Sequence, residues 1–185
     1  RLHHFIRLEG ARADVSARSV DGGFAVDADG TSWQLVASYG IALPRWNAMR
    51  QEATLGVEVK NTDNFLTYDG TSPSGAVVEL VQLKAAYLGT RWGDGNVLRL
   101  HAALVGSPGG IGGDNQDANF DAFRRGATAD YFYGNGGAVW LRQLRGDWSL
   151  RLAGEAQWAD GALLPVEQLG FGGYLSIRGY AERGF

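Results

Sequence analysis

Hydrophobic and polar residues alternate with period two through most of this chain. Successive side chains of a β-strand point to opposite faces, so this alternation predicts strands that each have one apolar and one polar face. The sixth of these segments has aromatic residues on both faces. In the other six, the apolar and polar residues fall on opposite faces. The predicted strands cover residues 2–13, 31–43, 51–61, 77–92, 97–105, 128–144 and 148–158. The chain is therefore predicted to be all-β and antiparallel.

The seventh segment has a tryptophan at each end of its apolar face, Trp148 and Trp158. At roughly 3.3 Å per residue and a tilt of about 45°, the two indoles are separated by about 23 Å along a membrane normal. The apolar band of an outer-membrane barrel is about 25 Å tall and has an aromatic girdle at each edge. The spacing favours a transmembrane strand with Trp148 and Trp158 in the two girdles.

The predicted connections alternate in length along the chain. Those after the second, fourth and sixth strands are short, whereas residues 14–30, 61–75, 106–126 and 159 onward are predicted to form long loops. Transmembrane barrels have short periplasmic turns and long extracellular loops. A soluble antiparallel sandwich gives the same alternation of faces, so from the periodicity alone both architectures remain open.

Composition narrows the classes of protein. The chain has 185 residues with 28 Gly, 4 Pro, 6 Trp and 7 Tyr, and it contains no Cys, which excludes disulfides and thiolate chemistry. The formal charge of −3 lacks the net positive charge that is typical of proteins that bind nucleic acid. No stretch approaches the roughly 18 apolar residues of a membrane helix.

The residues that could carry catalysis do not form a recognisable set. The histidines His3, His4 and His101 all lie in strand-like segments, and the chain has no G-x-S-x-G elbow for a nucleophilic serine. Residues 109–114 match a single copy of a calcium-binding repeat that needs stacked copies, so a flexible loop is predicted there. We therefore predict no enzyme activity, no metal site and no cofactor.

A glycine-rich stretch near the end of the chain breaks the strand pattern. It reads Leu-Leu-Pro-Val-Glu-Gln over residues 163–168, then Gly172-Gly173, then Ile177-Arg178-Gly179-Tyr180. This order and spacing resemble the signature of two-partner secretion transporters, the haemolysin secretion/activation family within the BamA superfamily. The run LGVEVKNTDN at residues 55–64 is also similar to a strand common in that family.

The resemblance implies the pore domain of a transporter in the bacterial outer membrane. Such a protein contacts outer-membrane lipid and exports one large, unfolded exoprotein partner without a cofactor. Residues 1–185 would be part of a C-terminal barrel domain, cut at both ends, and residues 159–185 would form the signature loop. The alternatives are an assembly factor of the same superfamily, which inserts other barrels, and a soluble β-sandwich module that binds sugars or peptides.

The resemblance also assigns roles to individual residues. The signature loop folds back into the barrel lumen, where the arginine of the tetrapeptide, Arg178, meets an acidic residue on the wall. The partner usual in the family lies on a later strand, and within this chain Glu155 and Glu58 are the substitutes that the polar faces offer. The functional residues expected in the loop are Glu167, Gln168, Gly172, Gly173, Ile177, Arg178, Gly179 and Tyr180.

Overall fold

The computed structural model describes residues 2–21, 24–68 and 71–170, which form one seven-stranded antiparallel sheet with its strands in chain order. β1 and β7 are the edges of the sheet. The strands are β1 (His4–Asp21), β2 (Phe24–Trp46), β3 (Met49–Tyr68), β4 (Thr71–Gly93), β5 (Asn96–Pro108), β6 (Asp130–Gln143) and β7 (Ser149–Ala159). The helix α1 (Asp117–Phe123) lies between β5 and β6, and a 3₁₀ turn (Pro165–Glu167) follows β7.

One end of the sheet has the short turns that the sequence predicts. Asn47 and Ala48 join β2 to β3 with φ of 50° and 60°, and Gly95 joins β4 to β5 with φ of 67°. Positive φ suits the tight hairpins whose twist matches that of the paired strands. We call this end of the sheet the short-turn end.

At the opposite end, two predicted long loops are wrong. Residues 14–30 and 61–75 continue the strands, with pairs such as Val15 to Gly30 and Asn64 to Ala76 extending the ladders. Their polar composition suggested loops, but backbone pairing does not need an apolar face where water surrounds the hairpin. β1–β4 therefore extend into two long hairpins at this end.

The two faces of the sheet differ sharply. The outer face carries large apolar side chains that are solvent-exposed in the chain by itself: Ile6, Leu8, Leu35, Tyr39, Leu55, Val57, Leu83, Leu104, Leu152 and Trp158. The ladder registers place them in continuous rows across all seven strands. A sandwich would bury such a face against a second sheet, and all seven described strands belong to one sheet, so the sandwich alternative is wrong.

A small apolar core lies on the inner face, near the long-hairpin end. It is built from strand, helix and loop residues: Val78, Leu80, Val105, Phe120, Ala127, Ala129, Tyr131, Tyr133, Leu163 and Leu164. The long loop predicted at 106–126 is partly wrong, because β5 runs to Pro108 and the connection contains α1, which buries Phe120 completely. Residues 109–114 contain no helix or strand, and their predicted flexibility stays a prediction. Asn119 also ties the helix to β4 by donating to the Val77 carbonyl at 3.0 Å.

The core also fixes the phase of β6, which the sequence leaves ambiguous. Tyr131 and Tyr133 face inward and are buried, whereas Phe132 and Trp140 lie on the outer face.

In the described part of the chain, no helix is long and apolar enough to cross a bilayer.

Candidate functional site

The chain leaves β7 and turns back over the inner face of the sheet. Residues 163–169, which we call the anchored segment, contain the Leu-Leu-Pro-Val-Glu-Gln run. Leu163 and Leu164 enter the small core, and the guanidinium of Arg124 donates to the Leu163 carbonyl. The β5–β6 connection and the anchored segment are thus packed together.

Glu167 is the polar centre of this contact. Its Oε1 accepts a hydrogen bond from Lys60 Nζ at 2.8 Å, and its Oε2 accepts one from the Tyr133 hydroxyl at 2.5 Å. Only 5% of Glu167 is exposed. A buried carboxylate is tolerated when a cation and hydrogen bonds satisfy it, and here one carboxylate joins the loop to β3 and β6.

Lys60 extends the network along β3. Its ammonium lies 3.2 Å from Glu58 Oε1. The Gln34 amide donates to that oxygen at 2.5 Å, and Lys84 Nζ lies 3.9 Å from the other oxygen. Two carboxylates and two ammonium groups therefore alternate from the anchored segment across β3 to β4.

Gln157 holds the backbone of the anchored segment to β7. Its side-chain NH₂ donates to the Glu167 carbonyl at 2.7 Å, and its side-chain oxygen accepts from the Leu169 N–H at 2.8 Å. One amide thereby satisfies a donor and an acceptor of a segment that is not part of the sheet. The anchored segment thus contacts β3, β6 and β7 at once.

The wall beneath Glu167 is aromatic and polar. Tyr131 and Tyr133 stack with ring centroids 6.3 Å apart, and the Gln82 amide donates to the Tyr131 hydroxyl at 2.6 Å. Gln82 itself is almost fully buried. The tyrosine hydroxyls bring polar groups to a surface that otherwise packs against the apolar core.

The ionisation of Glu167 is set by opposing effects. Burial by itself would raise the pKa of this carboxyl, but the charge of Lys60 and the hydrogen bonds from Lys60 and Tyr133 outweigh burial and hold the pKa below its ordinary value. Glu167 is therefore ionised at neutral pH, and the contact is a true ion pair.

Two of the predicted loop residues lie in the described part of the chain. Glu167 is central to the contact, whereas Gln168 is exposed and its side chain donates to the Leu163 carbonyl within the segment at 2.7 Å. Gly172, Gly173 and Ile177–Tyr180 lie outside the described residues, so the role of Arg178 stays a prediction.

The two proposed partners of Arg178 both lie on the inner face. Glu58 is 4% exposed and already contacts Lys60 and Gln34. Glu155 is more open, and one of its oxygens lies 2.9 Å from His101 Nε2. Of the two, Glu155 has the more accessible carboxylate.

The two predicted girdle residues are on the outer face. Trp148 is 77% exposed and Trp158 is 62% exposed. Trp158 packs edge-on against Phe132, with 6.1 Å between the ring centroids. Both positions are compatible with a membrane boundary, and their contact with lipid stays a prediction.

The partners of Glu167 were not predicted from the sequence. Lys60 and Gln157 appear on the polar faces of their predicted strands, but alternation does not indicate which polar residues contact the loop, whether 107 positions away, as for Lys60, or 10, as for Gln157. Tyr133 lies in the strand whose phase was ambiguous. The available signal was the pair Glu58 and Lys60, which carry opposite charges at two successive positions on one face of β3.

The described residues contain no group of three or more His, Asp or Glu side chains placed to hold a metal ion. The arrangement instead fastens a chain segment to the inner wall through one ion pair, several neutral hydrogen bonds and a small apolar core. The outer face is apolar and suits a lipid environment, whereas the inner face is polar. Together these features define the wall of a transmembrane β-barrel with a segment folded against its inner side.

The chain belongs to the haemolysin secretion/activation protein ShlB/FhaC/HecB family, whose model matches residues 6–185. Among solved structures it is similar to CdiB from Escherichia coli, with a TM-score of 0.74 and 19% sequence identity. That match covers 96% of this chain and 32% of the CdiB chain, so this chain spans about a third of the length of CdiB. Comparison with curated proteins found no significant match.

Proposed function

We propose that the protein containing this chain is an outer-membrane pore that secretes one large exoprotein partner. The observation that carries the proposal is the family match over residues 6–185. The exposed apolar outer face supports a location in the bacterial outer membrane, in direct contact with lipid.

The inner face supports passage of an unfolded polypeptide. One groove on this face is lined by side chains of both charges: Arg7, Glu9, Glu52, Glu58, Lys84 and His101. A wall of mixed charge stays hydrated and does not hold apolar segments of a moving chain. Transport along such a wall needs no cofactor.

The anchored segment supports a role for the loop that follows it. Because residues 163–169 are fastened to three strands, the chain carrying Arg178 starts from a fixed point on the inner wall. In the proposed mechanism Arg178 pairs with a wall carboxylate and holds the barrel in a transport-competent state. Its guanidinium offers bidentate hydrogen bonds to that carboxylate.

The Arg178→Ala variant of the full-length protein tests this role. We expect the variant to reach the outer membrane in normal amounts and to secrete its partner poorly, as measured by comparing the medium with the membrane fraction. Normal secretion would contradict the role of Arg178.

Deletion of the full-length protein from its host tests the function itself. We expect one large protein to disappear from the medium while other outer-membrane proteins keep their normal levels. If many barrels instead decrease together in the outer membrane, the protein is an assembly factor of the same superfamily, and the secretion proposal fails.

A further inference from the structure

Arginine and tryptophan recur at the short-turn end of the sheet. The last two residues of β2 are Arg45 and Trp46, and the β6–β7 connection carries Arg145 and Trp148. Trp46 and Trp148 are among the most exposed aromatic side chains of the described residues. Exposed tryptophans at strand ends mark the level at which an apolar band meets lipid headgroups.

Two arginines at this end lie on the outer face. Arg91 pairs with Leu98 and Arg142 pairs with Leu150, and both leucines belong to the apolar rows. Each arginine lies just before a turn, since Gly93 is the last residue of β4 and Gln143 the last of β6. Leu98 pairs with both Arg91 and Trp140, and Arg142 follows Trp140 by two residues, so the two arginines lie on alternate strands with a register offset of two residues.

These two guanidinium groups are exposed and lack carboxylate partners in the described part of the chain. None of its ion pairs within 4.0 Å involves either residue. Arg142 stacks over the Trp140 ring with its guanidinium carbon 5.9 Å from the centroid. Trp140 lies in the same row as Leu98 and Arg91, so an indole and an apolar side chain separate the two charges.

The opposite end of the sheet has the reverse charge. Its described loop and strand-end residues are mainly acidic: Asp114, Asp117, Asp121, Asp130 and Asp160, against Arg124 and Arg125. An anionic headgroup is therefore attracted to one rim of the outer face and repelled from the other.

We propose that Arg91 and Arg142 form a binding site for the phosphate of an anionic glycerophospholipid. Two unpaired guanidinium groups offer bidentate hydrogen bonds to phosphate oxygens, while Leu98 and Trp140 between them contact the acyl chains. The inference rests on the membrane location proposed above, but it is independent of secretion. By the parity of the loops, the site belongs to the periplasmic leaflet.

The chain offers a matched control for this site. Arg99 on β5 and Arg151 on β7 lie near the same end, but in the opposite phase, because Arg99 neighbours the outer-face Leu98 and Leu100 and Arg151 neighbours Leu150 and Leu152. Arg99→Gln/Arg151→Gln removes the same charge as Arg91→Gln/Arg142→Gln, but from the inner face.

The experiment is native mass spectrometry of the full-length protein released from mixed micelles with phosphatidylglycerol, phosphatidylethanolamine or lipid A. We expect the wild type and the inner-face variant to retain phosphatidylglycerol in preference to the other two. The outer-face variant should lose about tenfold in apparent affinity, or about 1.4 kcal/mol.

Three results would overturn the site: no preference for phosphatidylglycerol in the wild type, preference for lipid A, or equal loss in both double variants. A protein that does not fractionate with the outer membrane would refute the proposed location. A protein that resides there and shows one of these three results refutes the lipid site alone, and the deletion experiment then still decides secretion.

Discussion

The outer and inner faces of the sheet invert the usual relation between polarity and burial. Leu8 on the outer face is 76% exposed, whereas Glu58 on the inner face is 4% exposed. Water-soluble proteins bury leucine and expose glutamate. The comparison shows that the two faces suit different surroundings. The outer face suits an apolar environment outside the chain, and the inner face suits polar groups of the chain itself.

Part of the inner face is buried because the anchored segment of the same chain covers it. Glu167, Lys60 and Gln157 exchange hydrogen bonds across that contact, so burial does not leave these charged and polar groups unsatisfied. In the described residues only the Gln82 side-chain oxygen and the Asn115 amide are buried without a partner. In the described residues nothing covers the outer face, and the contact with lipid proposed above would bury it.

Among the changes that test this difference between the faces, reversing the charge of Glu167 should have the largest effect on the anchoring of residues 163–169. Glu167→Lys places a second ammonium beside Lys60 and removes the acceptor of Tyr133, which we expect to cost about 4 kcal/mol and to release the anchored segment. A spin label at Val166→Cys in the full-length protein measures the release as increased mobility, because Val166 is already 44% exposed and can carry the label.

The swapped variant Lys60→Glu/Glu167→Lys is the control for that experiment. It restores opposite charges at the same two positions and should recover much of the immobilisation. A label that stays immobile in Glu167→Lys alone would show that the apolar core holds the segment without the ion pair.

A single arginine substitution should destabilise the barrel much more on the outer face than on the inner face. Leu55→Arg puts a charge on the outer face and should destabilise the barrel in the membrane by about 2–4 kcal/mol. Thr54→Arg, one residue earlier, puts the same side chain into the polar inner groove and should cost far less. Heat-modifiability of the full-length protein in detergent compares the two, and equal losses would mean that Leu55 does not face lipid.

Much of the sheet could be predicted from the sequence. Every predicted strand is present, and β6 and β7 match residues 128–144 and 148–158 to within two residues at each end. Faces are predictable because alternation depends only on neighbouring residues. The long hairpins were missed because residues 14–30 and 61–75 pair outside the apolar band, where no alternation of hydrophobicity marks a strand.

The site was less predictable than the sheet. Glu167 could be found because it lies in a recognisable motif, whereas Lys60, Tyr133 and Gln157 are ordinary polar residues of three separate strands. Their meeting depends on how the chain after β7 turns back, which no local pattern encodes. The helix α1 was missed for a similar reason: it has no side-chain cap at its N-terminus and is held by the burial of Phe120.

Removal of the Gln157 amide should have a smaller effect. Gln157→Leu deletes the hydrogen bonds to the Glu167 carbonyl and the Leu169 N–H, and we expect it to weaken anchoring by about 1–2 kcal/mol. Limited proteolysis of the full-length protein measures this as faster cleavage after β7. Gln143→Leu is a suitable control, since the Gln143 side chain donates to the turn carbonyl of Gly146 at 3.2 Å, far from the anchored segment. Equal cleavage of the two variants would contradict the role of Gln157.

The smallest effect is the response of the anchored segment to acid. Because Glu167 has a pKa below its ordinary value when anchored, its ionised form stabilises the anchored state. That contribution is complete above the pKa of the released carboxyl and is lost as the pH falls through the lower, anchored pKa. Between about pH 5 and about pH 3, the label at Val166→Cys should therefore become more mobile. The same label in a Glu167→Gln background lacks the titrating group and should change little over this range. If both proteins respond alike, another group controls the release and the ion pair with Lys60 is not what acid breaks.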